Sequence, residues 1–149
     1  MSDARLDQKD HVILHALKKD ARKTIAEISH ALGIPRATVH ERIMKLVRSG
    51  VIKRFTISQD YGRLGLPALA FVHISSDSTV GPEQVAKKLG GIEGVMGVYL
   101  TSGEWDILVR LRGKSIEDIG KGAIEQIRKT KGVEKLKTTA CFDVIQDES

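Results

Sequence analysis

The segment TIAEISHALGIPRATVHERIMKLVRS, residues 24–49, decides the fold. Thr24 is a good helix N-cap, and Glu27 three residues on completes a capping box, so a helix starts here. Ile25, Ile28 and Leu32 fall on one stripe of it. Gly33 supplies a C-cap, and Pro35 suits the first turn of the next helix. That helix runs to about Ser49, buries Val39, Ile43, Leu46 and Val47, and is ended by Gly50. Upstream, Leu6 to Lys19 repeats the helical spacing at Leu6, Ile13, Leu14 and Leu17. Asp7 and Asp10 stand at the end where the helix dipole favours acids. Two short helices joined by a tight glycine turn and braced by a third make a helix–turn–helix.

The second helix of such a pair, docked by its apolar stripe, leaves its other face free to enter a DNA major groove. Here that face offers Arg36, Ala37, Thr38, His40, Glu41 and Lys45, and Arg42, Arg48, Lys53 and Arg54 can reach phosphates along the flank. Val51 to Ser58 reads as a short strand, the wing, closed by the polar turn Gln59-Asp60-Tyr61-Gly62. A three-helix bundle with a charged surface and no DNA partner is the bland alternative.

Charge favours the DNA reading. Residues 1–62 carry 12 Lys/Arg against 7 Asp/Glu, whereas residues 63–149 carry 12 against 12. A basic half joined to a neutral one fits a polyanion binder with a second task attached. The 149 residues suffice for two small domains. No apolar run is long enough to span a membrane and no signal-like start is present, so a cytoplasmic location is expected. The single cysteine, Cys141, can build neither a disulfide framework nor a thiolate metal site. His11 and His15 are four apart on the first helix but lack a third ligand, so no metal and no cofactor is expected.

Beyond a linker at 61–66 the pattern changes from helical to alternating. Strands are predicted at Leu66–Ile74, Val95–Thr101, Trp105–Leu111 and Val133–Ile145. Helices are predicted at Pro82–Leu89 and from a Ser115 cap to about Lys129. The order βαββαβ is that of a ferredoxin-like sandwich, so the chain reads as α+β: a winged helix–turn–helix over 1–60 and the sandwich over 67–149. In the first of these strands Ala68, Ala70, Val72 and Ile74 share one face and Leu69, Phe71 and His73 the other. A sheet covered on one side only should alternate apolar with polar. The second face is therefore expected to meet another subunit, giving a homodimer.

These residues resemble the leucine- and asparagine-responsive (Lrp/AsnC) regulators, also called feast/famine proteins. The resemblance rests on Leu6-Asp7, Asp10, Ile13-Leu14, Leu17, Asp20-Ala21-Arg22, Thr24, Glu27-Ile28 and Leu32-Gly33. It continues through Val39, Arg42-Ile43, Leu46, Gly50-Val51-Ile52 and Leu64-Gly65, then Gly103-x-x-Asp106 in the second half. Arg54-Phe55 in the wing and His40 on the reading helix depart from the common pattern.

The resemblance implies a DNA-binding transcription regulator, with dimers assembling further, up to an octamer, and an amino-acid effector held between dimers. The DNA set is then Thr24, Arg36, Thr38, His40, Glu41, Arg42, Lys45, Arg48, Lys53 and Arg54. For the effector, backbone N–H groups at Ser102, Gly103 and Glu104 can hold an α-carboxylate beside Trp105, and Asp106 can pair with the α-ammonium. Thr138 and Thr139 add hydroxyls.

No nucleophile–base set or phosphate loop is found, so no enzyme is expected. Two alternatives share the architecture. Relatives of the family decarboxylate sirohaem-type tetrapyrroles, but Arg36, Arg42, Lys45 and Arg48 need not survive on a helix that no longer binds DNA. A low-specificity DNA-architectural protein is the other.

Overall fold

The structure is a computed structural model that describes residues 6–145, and the chain divides between Ile57 and Ser58 into two compact units. The first contains α1 (Gln8–Lys19), α2 (Ile25–Leu32) and α3 (Arg36–Arg48). Both acids at the start of α1 act as caps. Asp10 N donates to Asp7 Oδ1 at 3.0 Å, and Asp7 N donates to Asp10 Oδ2 at 3.1 Å. Thr24 and Glu27 form the capping box expected of α2, with Glu27 N donating to Thr24 Oγ1 at 3.2 Å and Thr24 N to Glu27 Oε2 at 2.7 Å. Gly33 ends α2 in the left-handed conformation, φ 64°. Ile13, Leu17, Ile28, Ile34, Val39 and Leu46 close the core.

Two expectations for this half are corrected. Val47 is 39% exposed rather than buried, because one helical residue turns it about 100° away from Leu46. Residues 51–58 form no strand, and Phe55 and Ile57 are exposed. A strand needs a neighbour to satisfy its N–H and C=O groups, and the described residues of this unit supply only helices.

The second unit contains β1 (Ala68–Ser76), α4 (Pro82–Leu89), β2 (Val95–Leu100), β3 (Ile107–Gly113), α5 (Ile116–Ile119), a π-helical turn (Gly120–Ile124), α6 (Glu125–Lys129) and β4 (Val133–Ala140). The strands form one antiparallel sheet in the order β2-β3-β1-β4, so the chain has the expected α+β architecture. Ala70, Val72 and Ile74 pair with Leu111, Val109 and Ile107. These six turn one face toward Val85 and Leu89 of α4 and Ile119, Ala123, Ile124 and Ile127 of the second helical stretch.

Boundaries differ where tertiary pairing overrides local pattern. β1 runs on through polar Ser75 and Ser76 because β4 pairs with both. β3 begins at Ile107, leaving Trp105 in the turn. β4 stops at Ala140 instead of Ile145. Cys141 N still donates to Leu69 O at 2.9 Å, but the register then runs toward Pro67, which has no N–H to give. The helix expected as one piece from Ser115 to Lys129 widens to a π turn at Gly120–Ile124, where Gly120 and Gly122 favour helix least. Residues 58–66 fold with this second unit: Arg112 stacks over the Tyr61 ring at 4.7 Å, and Leu66 N donates to Tyr61 O at 2.8 Å.

Candidate nucleic-acid interface and effector site

Val39 and Leu46, at 0% and 1% exposure, fix the inward side of α3. At 100° per residue, Ala37, Glu41, Met44 and Arg48 stand opposite. Arg36 and His40 lie along one shoulder with Val47, and half-buried Thr38 along the other with Lys45. Arg36, Lys45, Arg48, Lys53 and Arg54 are exposed and join no ion pair among the described residues. Pro35 offers no side-chain cap to α3, so the N–H groups of Arg36, Ala37 and Thr38 remain open to an anion such as a phosphate. Thr24 is exposed, with its hydroxyl engaged in the α2 cap.

Arg42 is the exception among the expected phosphate contacts. Its Nη1 lies 2.7 Å from Asp7 Oδ2 and 2.9 Å from Asp10 Oδ1, so it ties α3 to the start of α1. The spacing Val39, Arg42, Leu46 is that of a core stripe, a signal that was open to reading. The hydrogen bond from Arg42 holds the Asp7 carboxyl below its ordinary range, helped by the backbone N–H of Asp10. Glu27 is likewise lowered, by the Thr24 backbone N–H and then its hydroxyl.

In the second unit, residues 102–106 connect β2 to β3. Gly103 has φ +135°, a conformation that side chains with a Cβ rarely adopt. Ser102, Gly103 and Glu104 are exposed, Trp105 and Asp106 half-buried. Trp105 stacks obliquely against His73, ring centroids 6.1 Å apart. Asp106 Oδ2 accepts from Ser76 N at 2.7 Å and from Ser76 Oγ at 2.9 Å, a link of distant residues that no local pattern announces. These two bonds, the backbone one first, hold Asp106 below its ordinary range and therefore ionised at neutral pH.

Thr138 and Thr139 do not join this turn within one chain. They pair with Val72 and Phe71, whereas the turn lies level with Ser75, about 10–13 Å along the sheet and about 10 Å across it. Strand alternation also sends the two hydroxyls to opposite faces. On the face away from the helices, β1 sets out Leu69, Phe71 and His73, and β3 sets out Leu108, Arg110 and Arg112. Tyr99 of β2 joins them, 48% exposed. That face is apolar with interspersed cations, more mixed than β1 alone implied.

Among the described residues no group of His, Cys, Asp and Glu could hold a metal ion, and no helix is long and apolar enough to cross a membrane.

Comparison with known proteins agrees with both halves. Residues 6–53 match the winged helix-turn-helix DNA-binding family and residues 68–149 the Lrp/AsnC ligand binding domain family. An uncharacterized HTH-type transcriptional regulator of Pyrococcus furiosus is 43% identical, covering 96% of this chain and 97% of its own. The HTH-type transcriptional regulator LysM of Saccharolobus solfataricus is 39% identical, covering 89% and 91%. Of solved structures, LrpC of B. subtilis superposes with a TM-score of 0.81 at 26% identity over 97% of this chain and 99% of that one. AsnC of E. coli gives 0.86 at 24%, over 97% of each. With a match to the winged helix-turn-helix DNA-binding family in one half and to the Lrp/AsnC ligand binding domain family in the other, the chain belongs to the Lrp/AsnC family of DNA-binding transcriptional regulators.

Proposed function

We propose that the chain reads a specific DNA site with α3 as a sheet-to-sheet homodimer able to assemble further. In this reading an amino acid bound at the 102–106 turn tunes that assembly, and through it the DNA binding. The observation that carries the effector assignment is Asp106, an ionised carboxylate fixed by Ser76 beside a glycine turn at φ +135°. An α-ammonium needs such a fixed anion, and backbone N–H groups at the turn suit the α-carboxylate. The remaining walls come from a second copy, since Thr138 and Thr139 of the same chain lie too far away. Two proteins of the same fold, from Neisseria meningitidis and M. tuberculosis, were solved with L-methionine.

A ligand shared between copies must favour one assembly over another to have any effect. Its influence on DNA affinity equals the influence of DNA on its own. Calorimetric titration of the twenty amino acids into the full chain, with and without DNA, tests this. Binding of one of them, with an affinity that changes when DNA is present, is the expected result. If none binds, the domain only oligomerises.

A further inference from the structure

We propose that Glu41 selects a cytosine in the DNA site, accepting a hydrogen bond from cytosine N4 in the major groove. This rests on α3 being the helix that reads DNA.

Glu41 points about 150° away from the line of Val39 and Leu46, so it stands near the centre of the outward face. It is exposed, and among the described residues it makes no ion pair or side-chain hydrogen bond, although Lys45 is one turn on. Among the described residues the other carboxylates near α3 are spoken for: Asp7 and Asp10 hold Arg42, and Glu27 caps α2. Glu41 is therefore a lone negative charge on a face otherwise suited to phosphates. It weakens binding to DNA in general, and only a base that offers it a donor can offset that cost.

The major groove offers a carboxylate two such donors, cytosine N4–H and adenine N6–H. Adenine N6 is flanked by two acceptors, its own N7 and the thymine O4 across the pair, which repel the second carboxylate oxygen. Cytosine N4 has one such neighbour, the guanine O6 across the pair, and on its own base only a C5–H, which leaves room on that side for the second oxygen. Cytosine is the better partner. Ala37 one turn before Glu41 and Met44 three residues after it share the face, and Met44 is 41% exposed. These apolar neighbours exclude water around the carboxylate in the groove, so a site without the donor leaves Glu41 both desolvated and unpaired. Discrimination at that one position should be about tenfold or more.

Selection of preferred sites from random duplex DNA by the full chain, compared with Glu41→Gln and Glu41→Ala, tests the assignment. Wild type should enrich sites with a fixed cytosine at one position of each half-site. Glu41→Gln should move that position toward adenine, because an amide pairs with both N6 and N7. Glu41→Ala should lose the preference there and bind random DNA more tightly. If wild type enriches a site and both variants enrich the same one, Glu41 reads no base and the proposal is overturned, with the role of α3 left standing. Tighter binding of Glu41→Ala without a changed site also overturns it, as general repulsion only. If wild type enriches no site at all, α3 does not read DNA and both readings fall.

Discussion

Arg42 Nη1 lies 2.9 Å from Oδ1 of Asp10, a carboxylate with no solvent exposure and 32 positions away in the chain. The contact ties α3 to the start of α1 as one mechanical piece. It also engages, within the unit, an arginine that its basic surroundings would assign to phosphates. Arg42→Ala should therefore act through stability. It strips the buried Asp10 of its charged partner, and the melting temperature of the helix–turn–helix unit should fall by several degrees. DNA affinity measured well below the new melting point should change little. An unchanged melting curve with weakened DNA binding would return Arg42 to the phosphates.

Acid should attack the same place. The folded-state pKa of Asp7 is lowered from its usual 3.8 by the hydrogen bond from Arg42, and that of Glu27 from 4.5 by Thr24. A depressed carboxyl stabilises the fold above its unfolded value, and the contribution is lost as pH falls through the folded value. Helix content should thus hold down to about pH 4 and fall below it. Asp7→Asn should be less stable at neutral pH and lose less on acidification, as followed by circular dichroism. A parallel acid loss in wild type and variant would rule out the Asp7 linkage.

Arg36 and Arg48 carry the DNA prediction, from the shoulder and the outer face of α3. Each alanine variant should weaken specific binding by about 1–3 kcal/mol if it reads a guanine, and less if it meets phosphate. A lost phosphate contact also lowers the salt slope by about one unit. Titrations of a selected DNA site at several salt concentrations separate the two cases. If neither variant changes affinity or slope, DNA does not lie along α3.

Much of this was legible because it rests on local chemistry. Thr24 with Glu27 caps α2 in the sequence and in the structure alike, and Gly33 takes the positive φ that its C-cap needs. The apolar run Ala68–Ile74 marks β1, whose Ala70, Val72 and Ile74 turn to the core. What escaped depends on partners distant in the chain. The 51–58 segment has the composition of a strand but, among the described residues, no neighbour to pair with. That Arg42 pairs with Asp7 and Asp10 shows only once α1 and α3 are folded side by side. The grip of Ser76 on Asp106 joins residues 30 apart, and the gap between that turn and Thr138 appears only once strand order and register are known.

The outward sheet face is the proposed seam between subunits. Phe71 pairs with Arg110 on one side and Thr139 on the other, near the middle of that face. Phe71→Asp should cost about 2 kcal/mol or more of association energy by burying a charge in the seam. Sedimentation of the full chain should show dimers or larger assemblies for wild type and a shift toward monomer for the variant. A monomeric wild type would remove the sheet-to-sheet dimer.

Asp106 has two tasks, and substitutions can separate them. Through Oδ2 it fastens the 102–106 turn to Ser76, and its negative charge is the proposed partner of an α-ammonium. Asp106→Ala abolishes both, so lost ligand binding in that variant would not distinguish a missing contact from a loosened turn. Asp106→Asn is the sharper test. Its amide oxygen can still accept from Ser76 N and Oγ, so the turn should keep its shape while the charge disappears. A charge-assisted hydrogen bond contributes about 1.5–3 kcal/mol, and affinity for the amino acid should fall about tenfold or more. Ser76→Ala is the converse: the charge stays and one of the two anchoring bonds goes, so binding should weaken less than in Asp106→Asn. Gly103→Val should also weaken binding, because φ +135° strains a residue with a Cβ even though nothing lies within 4 Å of that atom. The ordering matters more than any single value. If Asp106→Asn binds the amino acid as tightly as wild type while Ser76→Ala does not, the turn matters only for its shape, and the ammonium must find its anion elsewhere.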